Sequence, residues 1–586
     1  MTLHSSDKRM LQRAREQLCA MLVVALTTSS LIVPAAQARF APKAASAEAA
    51  KSVARSVKTE RAVRTLKDAK GNRIEILTKE AAANAPAPDL WAHLDLEDDG
   101  VPGTSTAKAY KELNLKQPEK PVIVAVLDSG VDISHPDLKG VIWENEAEKN
   151  GKPGVDDDGD GYVDDVNGWN FIGGKDGHNV DGTTLEVTRE LVRMRKKKSG
   201  LGGIFMSKKE KAYLAELETE YGKKKAEADT NLKEDASAMK AYLAALNTLK
   251  KIGLKEETLT ALAALTTKTP EEEAAKQTVG ESLLAGKDSK VLRTYVAADQ
   301  KVLDYNLSLT FDSSKIIGDH PKDMTETGYG NPQVAAVGDE HGTHCSGIIG
   351  ALRNNGIGPD GQSNWVKIMP IRAVPDGDER DKDIANGIRF AVDHGAKIIS
   401  MSFGKPYSPG KKVVDAAVEY AAAKGVLLVH AAGNDAKDLE TGHNYPTAKL
   451  LNGKIAANWI EVGASTKSPD ENLPAYFSNY GAKSVDLFAP GYKIYSTTPN
   501  NTYSVYSGTS MATPEVAGIA ALVLSQKPTL SPAELKKILT STVTTFGNLE
   551  VNLPNEDANT ETKKVPFSSL SATGGVVNAY RALKAL

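Results

Sequence analysis

The sequence predicts an α/β fold with a central, mostly parallel sheet. Short, continuous apolar runs recur along the chain, at residues 122–127, 396–401, 426–432 and 460–464. Such runs are typical of parallel strands that are buried on both faces. Helical segments lie between or after these runs, at residues 382–394, 413–424 and 510–526. The alternation of strand and helix predicts a parallel sheet that is covered by helices.

The N-terminal segment has the pattern of a secretory signal peptide. Basic residues precede a mostly apolar run of 16 residues, Leu18 to Val33, and Ala36-Gln37-Ala38 supplies the small residues that a signal peptidase requires. The apolar run is shorter than the roughly 20 residues of a spanning helix, although an uncleaved anchor is the alternative. We expect residues 1–38 to be removed, and the mature protein to be secreted or periplasmic without stable membrane insertion.

The composition is that of an ordinary soluble globular protein, with 41% hydrophobic and 25% charged residues. A formal net charge of −3 gives no general reason to expect nucleic acid or a membrane surface as partner. The chain has two cysteines, Cys19 and Cys345. Because signal cleavage removes Cys19, the mature chain cannot form an intramolecular disulfide.

Two segments do not follow the strand–helix alternation. Residues 39–105 contain one candidate strand, Arg73–Leu77, and we interpret them as a propeptide or N-terminal extension. Residues 185–320 are rich in Ala, Lys, Glu and Leu, and they predict a helical insertion into a domain that spans residues 106–586. Helices are expected within the insertion at residues 211–221, 237–251, 256–266 and 290–307.

The insertion begins with a basic segment. Residues 189–225 contain 12 Lys or Arg residues and 5 Asp or Glu residues. One interpretation is a docking surface for an acidic partner or an acidic surface. The other is a solvated helix face without a partner, and the sequence leaves both open.

Three short motifs carry candidate catalytic side chains. Asp128-Ser-Gly follows the first apolar run, His341-Gly-Thr-His344 lies downstream, and Ser510 lies within Gly-Thr-Ser-Met-Ala at the start of a helix. All ten histidines precede Ser510, which excludes the Ser…Asp…His order of α/β-hydrolases. The paired histidines are no metal motif, because neither Cys-x-x-Cys nor His-Glu-x-x-His accompanies them.

Together these motifs resemble the three signatures of the subtilisin-like serine proteases, or subtilases, in that family's order Asp…His…Ser. The resemblance covers roughly residues 120–185 and 325–586. It implies a three-layer subtilisin-like fold and a serine endopeptidase that hydrolyses peptide bonds through an acyl-enzyme on Ser510. His341 would act as general base, and Asp128 would orient the imidazole and stabilise the imidazolium. The chymotrypsin-like order lacks support because no Gly-Asp-Ser-Gly surrounds Ser510.

The resemblance also implies an oxyanion donor and a substrate-binding strand. Asn434 matches the family's oxyanion motif and would donate its side-chain N–H to the tetrahedral intermediate. An extended peptide would add to an edge strand formed by Ser402, Phe403 and Gly404. The other wall of the primary pocket would be formed by Ala431, Ala432 and Gly433. Because these wall residues are small, we expect a preference for apolar or aromatic side chains before the cut.

An Asp-rich segment predicts a calcium site. Residues 156–165 place carboxylates at positions 1, 3 and 5 of a loop, followed by Gly161 at a sharp turn, as in the beginning of an EF-hand loop. The twelfth position is Asn167 rather than Glu, so the loop is not a standard EF-hand. An acidic turn without an ion is the alternative, although such closely spaced carboxylates repel one another. The expected ligands are Asp156, Asp158, Asp160, the Tyr162 carbonyl, and Asp164 or Asp165.

Two further residues attract attention beside the motifs. Glu515 occupies a position where relatives often have histidine, about one turn after Ser510. Cys345 follows His341 by four residues, and we expect it to be a small buried residue.

Two functional alternatives accompany the broad endopeptidase. The first is a narrow-specificity processing protease whose insertion selects one substrate. The second is a non-catalytic binding protein on a subtilase scaffold, which the complete triad disfavours. Protein or peptide substrates, and no nucleic acid, are the expected partners, with docking of a further partner on residues 185–320 as an additional hypothesis.

Overall fold

The computed structural model describes residues 65–67, 73–75, 90–336, 338–556 and 562–586. The predicted signal peptide, with its cleavage point after Ala38, lies outside the described residues, as does most of the segment 39–89. The described strands are β1 (Thr65–Lys67), β2 (Arg73–Glu75), β3 (Val122–Asp128), β4 (Trp169–Asn170), β5 (Val366–Arg372), β6 (Ile398–Met401), β7 (Leu427–Ala431), β8 (Trp459–Ser465), β9 (Leu487–Pro490), β10 (Ile494–Thr498), β11 (Thr502–Ser507), β12 (Thr544–Thr545), β13 (Glu550–Asn552), β14 (Lys564–Pro566) and β15 (Gly575–Val576).

Helices lie between and after these strands, and several have bounds close to those predicted from the sequence. They are α1 (Leu96–Asp99), α2 (Thr106–Glu112), α3 (Glu146–Lys149), α4 (Glu186–Ser199), α5 (Lys208–Lys251), α6 (Leu259–Ala264), α7 (Pro270–Leu284), α8 (Ser289–Lys301), α9 (Ser314–Ile317), α10 (Glu340–Gly350), α11 (Asp381–Asp393), α12 (Lys411–Ala423), α13 (Thr509–Gln526), α14 (Pro532–Ser541) and α15 (Ala579–Lys584).

The central sheet has nine strands in the order β12-β15-β9-β8-β7-β6-β3-β5-β4. Every neighbouring pair from β15 to β4 is parallel, and β12 pairs antiparallel with β15. The prediction of a central, mostly parallel sheet is therefore confirmed.

Helices cover both faces of this sheet, and strand β3 shows why. Val124 and Val126 point into one core, which includes the apolar residues of α13. Ala125 and Leu127 point into a second core on the opposite face, where α11 and α12 pack. Because successive side chains of a strand alternate between faces, a continuous apolar run supplies both cores at once. The three-layer α/β arrangement that the resemblance implied is confirmed.

The segment upstream of residue 106 contributes to this body. Trp91 and Ala92 are buried in the same core as α13, and the Trp91 indole nitrogen donates to the Tyr492 carbonyl at 3.2 Å. Strand β2 pairs antiparallel with β11, the strand that leads into α13. Residues 90–105 thus pack with the domain, although the sequence suggested that they belong to the N-terminal extension, residues 39–105.

The segment between β4 and β5 is helical over most of residues 186–306 and has two apolar clusters of its own. The expectation of separate helices at 211–221 and 237–251 is wrong, because α5 runs unbroken for 44 residues. Its capping box, formed by Ser207 and Glu210, starts the helix, and good helix formers continue it. The long helix packs near its N-terminus against α4 and near its C-terminus against α7 and α8. Helix α7 was not among the helices predicted from the sequence.

Among the described residues, no helix combines the length and the apolarity that a membrane crossing requires.

Candidate active site

The Asp128 carboxylate and the His341 imidazole meet at the C-terminal end of strand β3. His341 Nδ1 lies 2.7 Å from Asp128 Oδ1. The Asp128 side chain is 1% exposed and the His341 side chain 13% exposed, so one edge of the imidazole remains reachable. Burial lowers the pKa of His341, but the adjoining carboxylate outweighs burial and holds the pKa well above its ordinary value.

The His-Gly sequence allows helix α10 to approach the end of β3 closely. A Cβ atom at Gly342 would lie 2.1 Å from the Gly130 carbonyl oxygen and 3.2 Å from the Asp128 Cβ. The Gly342 N–H also donates to the Ser129 hydroxyl at 3.1 Å. A larger residue at position 342 would therefore push His341 away from Asp128.

The second histidine of the motif has a different environment. His344 Nε2 lies 3.1 Å from the carbonyl oxygens of both Ile494 and Ser504, and its ring stacks on Tyr506. Burial lowers the pKa of His344 to about 3, so the ring is neutral. This histidine joins α10 to the hairpin β10–β11 and takes no part in the pair with Asp128.

Ser510 occupies the first turn of α13, as expected, and its neighbour Pro514 determines how that turn is held. Proline has no N–H, so the Ser510 carbonyl lacks the helical donor it would normally receive from residue 514. The Ser402 hydroxyl donates to this carbonyl at 2.9 Å, and the Cys345 thiol donates at 3.5 Å. The Ser510 hydroxyl in turn donates to the Ser402 carbonyl at 3.2 Å.

Cys345 lies between the two motifs that carry His341 and Ser510. Its sulfur is 4.0 Å from His341 Nδ1 as well as 3.5 Å from the Ser510 carbonyl. Cys345 is fully buried, and burial raises the pKa of its thiol. The thiol is thus a packed, uncharged donor, in agreement with the expectation of a small buried residue.

Asn434 faces the start of the same helix. Its Oδ1 accepts the Thr509 N–H at 2.8 Å and the Thr509 hydroxyl at 3.0 Å. These two bonds orient the Asn434 amide so that its oxygen faces the helix N-terminus and its nitrogen faces away from Thr509. The Gly433 N–H donates to the same Thr509 hydroxyl at 3.1 Å. Thr509 therefore positions both residues, a role that the sequence did not indicate.

The two segments expected to bind substrate flank Ser510. Ser402, Phe403 and Gly404 directly follow β6, and Ser402 and Phe403 are both buried. On the other side Ala431 ends β7, Ala432 is buried, and Gly433 has φ +104° with no room for a Cβ beside Asn479. Because the side chains of both segments are small or buried, the two segments present backbone rather than long side chains.

The Asp-rich segment divides into groups with different contacts. Carboxylate oxygens of Glu148, Asp156 and Asp158 lie within 4.8 Å of one another, and a second group of this kind contains Asp158, Asp165 and His394. Neither Glu148 nor His394 was expected from the sequence. The buried Glu148 carboxylate accepts the N–H groups of Asp157 at 2.7 Å and Asp164 at 2.9 Å, so it shapes the loop.

Two expected ligands of this segment, Asp160 and Asp164, lie outside those groups. The Asp160 carboxylate lies 3.0 Å from His394 Nε2, and the Asp164 carboxylate accepts the Gly154 N–H. The Tyr162 ring is buried against Trp169 and Phe390. The expected ligands Asp156, Asp158 and Asp165 therefore fall into two groups that share Asp158, one completed by Glu148 and the other by His394.

Comparisons with known proteins show which proteins this chain is similar to. A family model described as the subtilase family, peptidase S8, matches residues 119–564. Thermitase of Thermoactinomyces vulgaris is 44% identical over 197 residues, which are 33% of this chain and 65% of that protein. Subtilisin NAT of Bacillus subtilis subsp. natto is 39% identical over 213 residues, which are 36% of this chain and 52% of that protein.

A solved structure, described as a cold adapted subtilisin-like serine proteinase, is 30% identical with a TM-score of 0.30, and the match covers 40% of this chain and 74% of the other. The chain spans about half to two thirds of the two relatives named above. The family model, in contrast, matches most of the chain, across all three motifs. On this basis the chain belongs to the subtilase family.

Proposed function

We propose that this protein is an exported serine endopeptidase that hydrolyses peptide bonds through an acyl-enzyme on Ser510. The observation that carries the proposal is the 2.7 Å contact between Asp128 and His341, with Ser510 on the neighbouring helix and Cys345 in contact with both. In this role His341 removes the proton of the Ser510 hydroxyl and then protonates the leaving amine. Asp128 keeps the imidazole in the required tautomer and stabilises the imidazolium.

The start of α13 supports an oxyanion site beside Ser510. The first N–H groups of a helix have no partners within the helix, and the helix dipole favours negative charge there. Asn434 Nδ2 would donate to the oxyanion, with the Ser510 N–H beside it. The bonds from Thr509 to Asn434 Oδ1 support this orientation of the amide.

Substrate would bind as an added strand along Ser402, Phe403 and Gly404. Since Phe403 is buried, the peptide would contact the backbone of this segment, which favours broad sequence tolerance. Ala431, Ala432 and Gly433 would form the opposite wall of the primary pocket. Side-chain preference then depends on the space between the two segments, and apolar or aromatic residues are our expectation.

Calcium binding at the Asp-rich segment is part of the proposal. Ca²⁺ takes six to eight oxygen ligands, and the carboxylates of Asp156, Asp158 and Asp165, with Glu148, supply several at short separations. The buried Asp165 Oδ2 has no hydrogen-bond donor among the described residues, although His394 Nε2 lies 3.2 Å away. A bound cation would relieve the repulsion between these carboxylates. Asp160, Asp164 and the Tyr162 carbonyl would complete the ligand set.

The domain limits and the route of export are further parts of the proposal. Residues 1–38 would direct export and be removed, so that the enzyme works outside the cytoplasm, in the periplasm or beyond. A propeptide, and hence a zymogen, would lie between Arg39 and the core. Because Trp91 is buried in the core of the domain, we place the end of a removable segment before Leu90 rather than at residue 105.

Labelling of a single serine tests the catalytic proposal. The purified protein should cleave unfolded casein and be labelled by a fluorophosphonate, and Ser510→Ala should lose both properties. Ser525→Ala, at the far end of the same helix, is the matched control because its hydroxyl bonds only neighbours at that end: it donates to the Leu522 carbonyl and accepts from the Gln526 amide. Activity or labelling that persists in Ser510→Ala would contradict the assignment, and an inert wild type would favour the non-catalytic binding protein.

A narrower specificity is favoured by one observation. The insertion attaches through Glu186 to Lys405, the residue that follows the substrate segment 402–404. Cleavage of a peptide library by the wild type and by a variant lacking residues 190–315 would distinguish a broad endopeptidase from a narrow-specificity processing protease. Equal profiles would show that the insertion does not select substrate.

A further inference from the structure

The connection between α4 and α5 presents two large apolar side chains to solvent. Ile204 is 77% exposed and Phe205 82% exposed, the highest values among the exposed large hydrophobic residues of the described chain. The two residues are adjacent in a loop of seven residues, 200–206, which we call the tip loop. Single exposed apolar residues are common on proteins, but a neighbouring pair at the end of a helical hairpin is not an ordinary surface feature.

Backbone hydrogen bonds hold the tip loop in a defined conformation, and Ile204 and Phe205 are exposed in that conformation. The Gly203 N–H donates to the Gly200 carbonyl at 2.9 Å, and the Phe205 N–H donates to the Gly202 carbonyl at 3.2 Å. The next residue, Met206, is buried in the cluster between α4 and α5. Met206 therefore occupies the apolar space at the end of the hairpin, and its two predecessors are left outside.

Lysines surround the exposed pair on both sides. Residues 196–211 contain six lysines and a single acidic residue, Glu210, which pairs with Lys197. The other five lysines are exposed, and no carboxylate of the described residues lies within ion-pair distance of them: Lys196, Lys198, Lys208, Lys209 and Lys211. The net charge of −3 for the whole chain conceals this local excess of positive charge.

We propose that the tip loop docks on an anionic lipid surface. Ile204 and Phe205 would enter the boundary between headgroups and acyl chains, while the lysine ammonium groups reach the lipid phosphates. A protein partner fits less well, because a stable interface buries about 800 Å² on each side and two side chains offer far less. The contact would be interfacial and reversible, and no helix needs to span the bilayer.

This attachment would set the height of the proposed active site above the lipid. Helix α4 has 14 residues, which corresponds to a length of about 21 Å. Its first residue, Glu186, bonds Lys405 next to the substrate segment, and its last residue leads into the tip loop. The substrate segment would then stand about one helix length above the headgroups.

Vesicle sedimentation tests the proposal. The purified Ser510→Ala protein, which cannot digest itself in our scheme, is mixed with vesicles of phosphatidylglycerol and phosphatidylcholine or of phosphatidylcholine alone. All variants share one N-terminus, so any contribution from that segment cancels. The test variant is Ile204→Ser/Phe205→Ser, and the matched control is Leu451→Ser/Ile455→Ser, which removes two exposed apolar side chains elsewhere (65% and 63% exposed).

We expect binding to the anionic vesicles and at least tenfold weaker binding to neutral ones. The tip variant should bind about tenfold more weakly than the parent, and the control within twofold of it. Each lysine near an anionic leaflet strengthens binding about fivefold, so Lys208→Gln/Lys209→Gln should weaken binding about 25-fold at low salt. The exposed pair Lys233→Gln/Lys240→Gln, distant in sequence from the tip, is the charge control.

Three outcomes would overturn the proposal. They are no binding of the parent to anionic vesicles, equal binding to neutral vesicles, and unchanged binding of the tip variant. If the lysine variant alone weakens binding, the segment is a surface for acidic macromolecules in general and not a lipid anchor. Casein hydrolysis by the tip variant with Ser510 intact should equal that of the wild type, which excludes misfolding as the cause of lost binding.

Discussion

Lys405 Nζ lies 2.8 Å from Glu186 Oε2 and so joins the insertion to the chain directly after Gly404. Both side chains are buried, and Lys405 also lies 2.9 Å from the Asp381 carboxylate and donates to the Glu379 carbonyl. The ion pair therefore connects α4, α11 and the end of the substrate segment. Burial by itself raises the pKa of Glu186, but Arg189 and Lys405 outweigh it and lower the pKa to about 2.

Replacement of Glu186 should weaken the fold at neutral pH. Glu186→Gln leaves the Lys405 charge buried with fewer partners, and breaking a buried pair in this way costs about 3 kcal/mol in the free energy of unfolding. Because the folded pKa of Glu186 is depressed, its contribution is present above its ordinary pKa of 4.5 and is lost as the pH falls toward 2. Denaturant unfolding between pH 7 and pH 2 measures both effects.

Glu144→Gln is the matched control for that measurement. Glu144 also forms a 2.8 Å pair, with Lys149, but both side chains are about 40% exposed. Exposed pairs contribute less than about 1 kcal/mol, so this variant should stay close to the wild type. Equal losses in the two variants would contradict a special role for the buried pair.

Glu515 should make the stability of the fold fall as the pH rises above 4.5. Its side chain is 1% exposed, and burial raises the pKa well above the ordinary 4.5, against the opposing effect of the donor Gln362. With the folded pKa raised, the stability from the neutral acid is complete below pH 4.5 and is lost as the pH rises through the folded pKa. Glu515→Gln keeps a neutral side chain at every pH, so its melting temperature should fall less than that of the wild type as the pH rises through the folded pKa of Glu515.

Glu112→Gln, at an exposed position, provides the comparison for this pH experiment. A parallel decline of melting temperature with pH in the wild type and in Glu515→Gln would show that Glu515 does not ionise in the folded protein. The contact itself has a structural consequence, since the Gln362 amide donates to Glu515 and its oxygen accepts from the Thr106 hydroxyl. This chain of bonds attaches α2 to the helix that carries Ser510.

Removal of the Asn434 amide should slow the chemical step. We expect Asn434→Ala to lower kcat by about 10²–10³-fold with little change in KM, because the donor acts on charge that develops in the transition state. That magnitude is the one measured for the oxyanion donor of subtilisin, a member of the same family. Steady-state kinetics on a peptide substrate measure it, with the exposed Asn452→Ala as control, and a raised KM with unchanged kcat would contradict the role.

Calcium removal should destabilise the protein through the Asp-rich segment. We expect a chelator to lower the melting temperature by about 3 °C. This figure takes free Ca²⁺ at about a hundredfold above its Kd, where binding contributes about 2.7 kcal/mol. Added Ca²⁺ should restore the loss and Mg²⁺ should not, because Mg²⁺ demands a tighter octahedral site. Asp158→Asn should abolish the chelator effect, whereas the exposed Asp470→Asn should keep it.

Much of the site was predictable because its motifs are local. The buried strand that ends at Asp128, the helix that begins beside Ser510 and the glycine after His341 are each determined within a few residues. The contacts that hold the serine turn were not predictable in this way. The absence of an N–H at Pro514 indicates an unsatisfied Ser510 carbonyl, but nothing in the local pattern names Ser402 and Cys345 as the donors that satisfy it.

By itself, the sequence determined the α/β class with its central parallel sheet, the order of the three motifs and the helical character of the insertion. These features follow from apolar periodicity and from residue types that act over short separations. Only the tertiary structure decided that α5 is one helix of 44 residues and that Lys405 meets Glu186. It also decided that Met206 is buried while Ile204 and Phe205 are exposed. Such choices depend on which apolar spaces remain once distant segments have packed, and no local pattern contains that information.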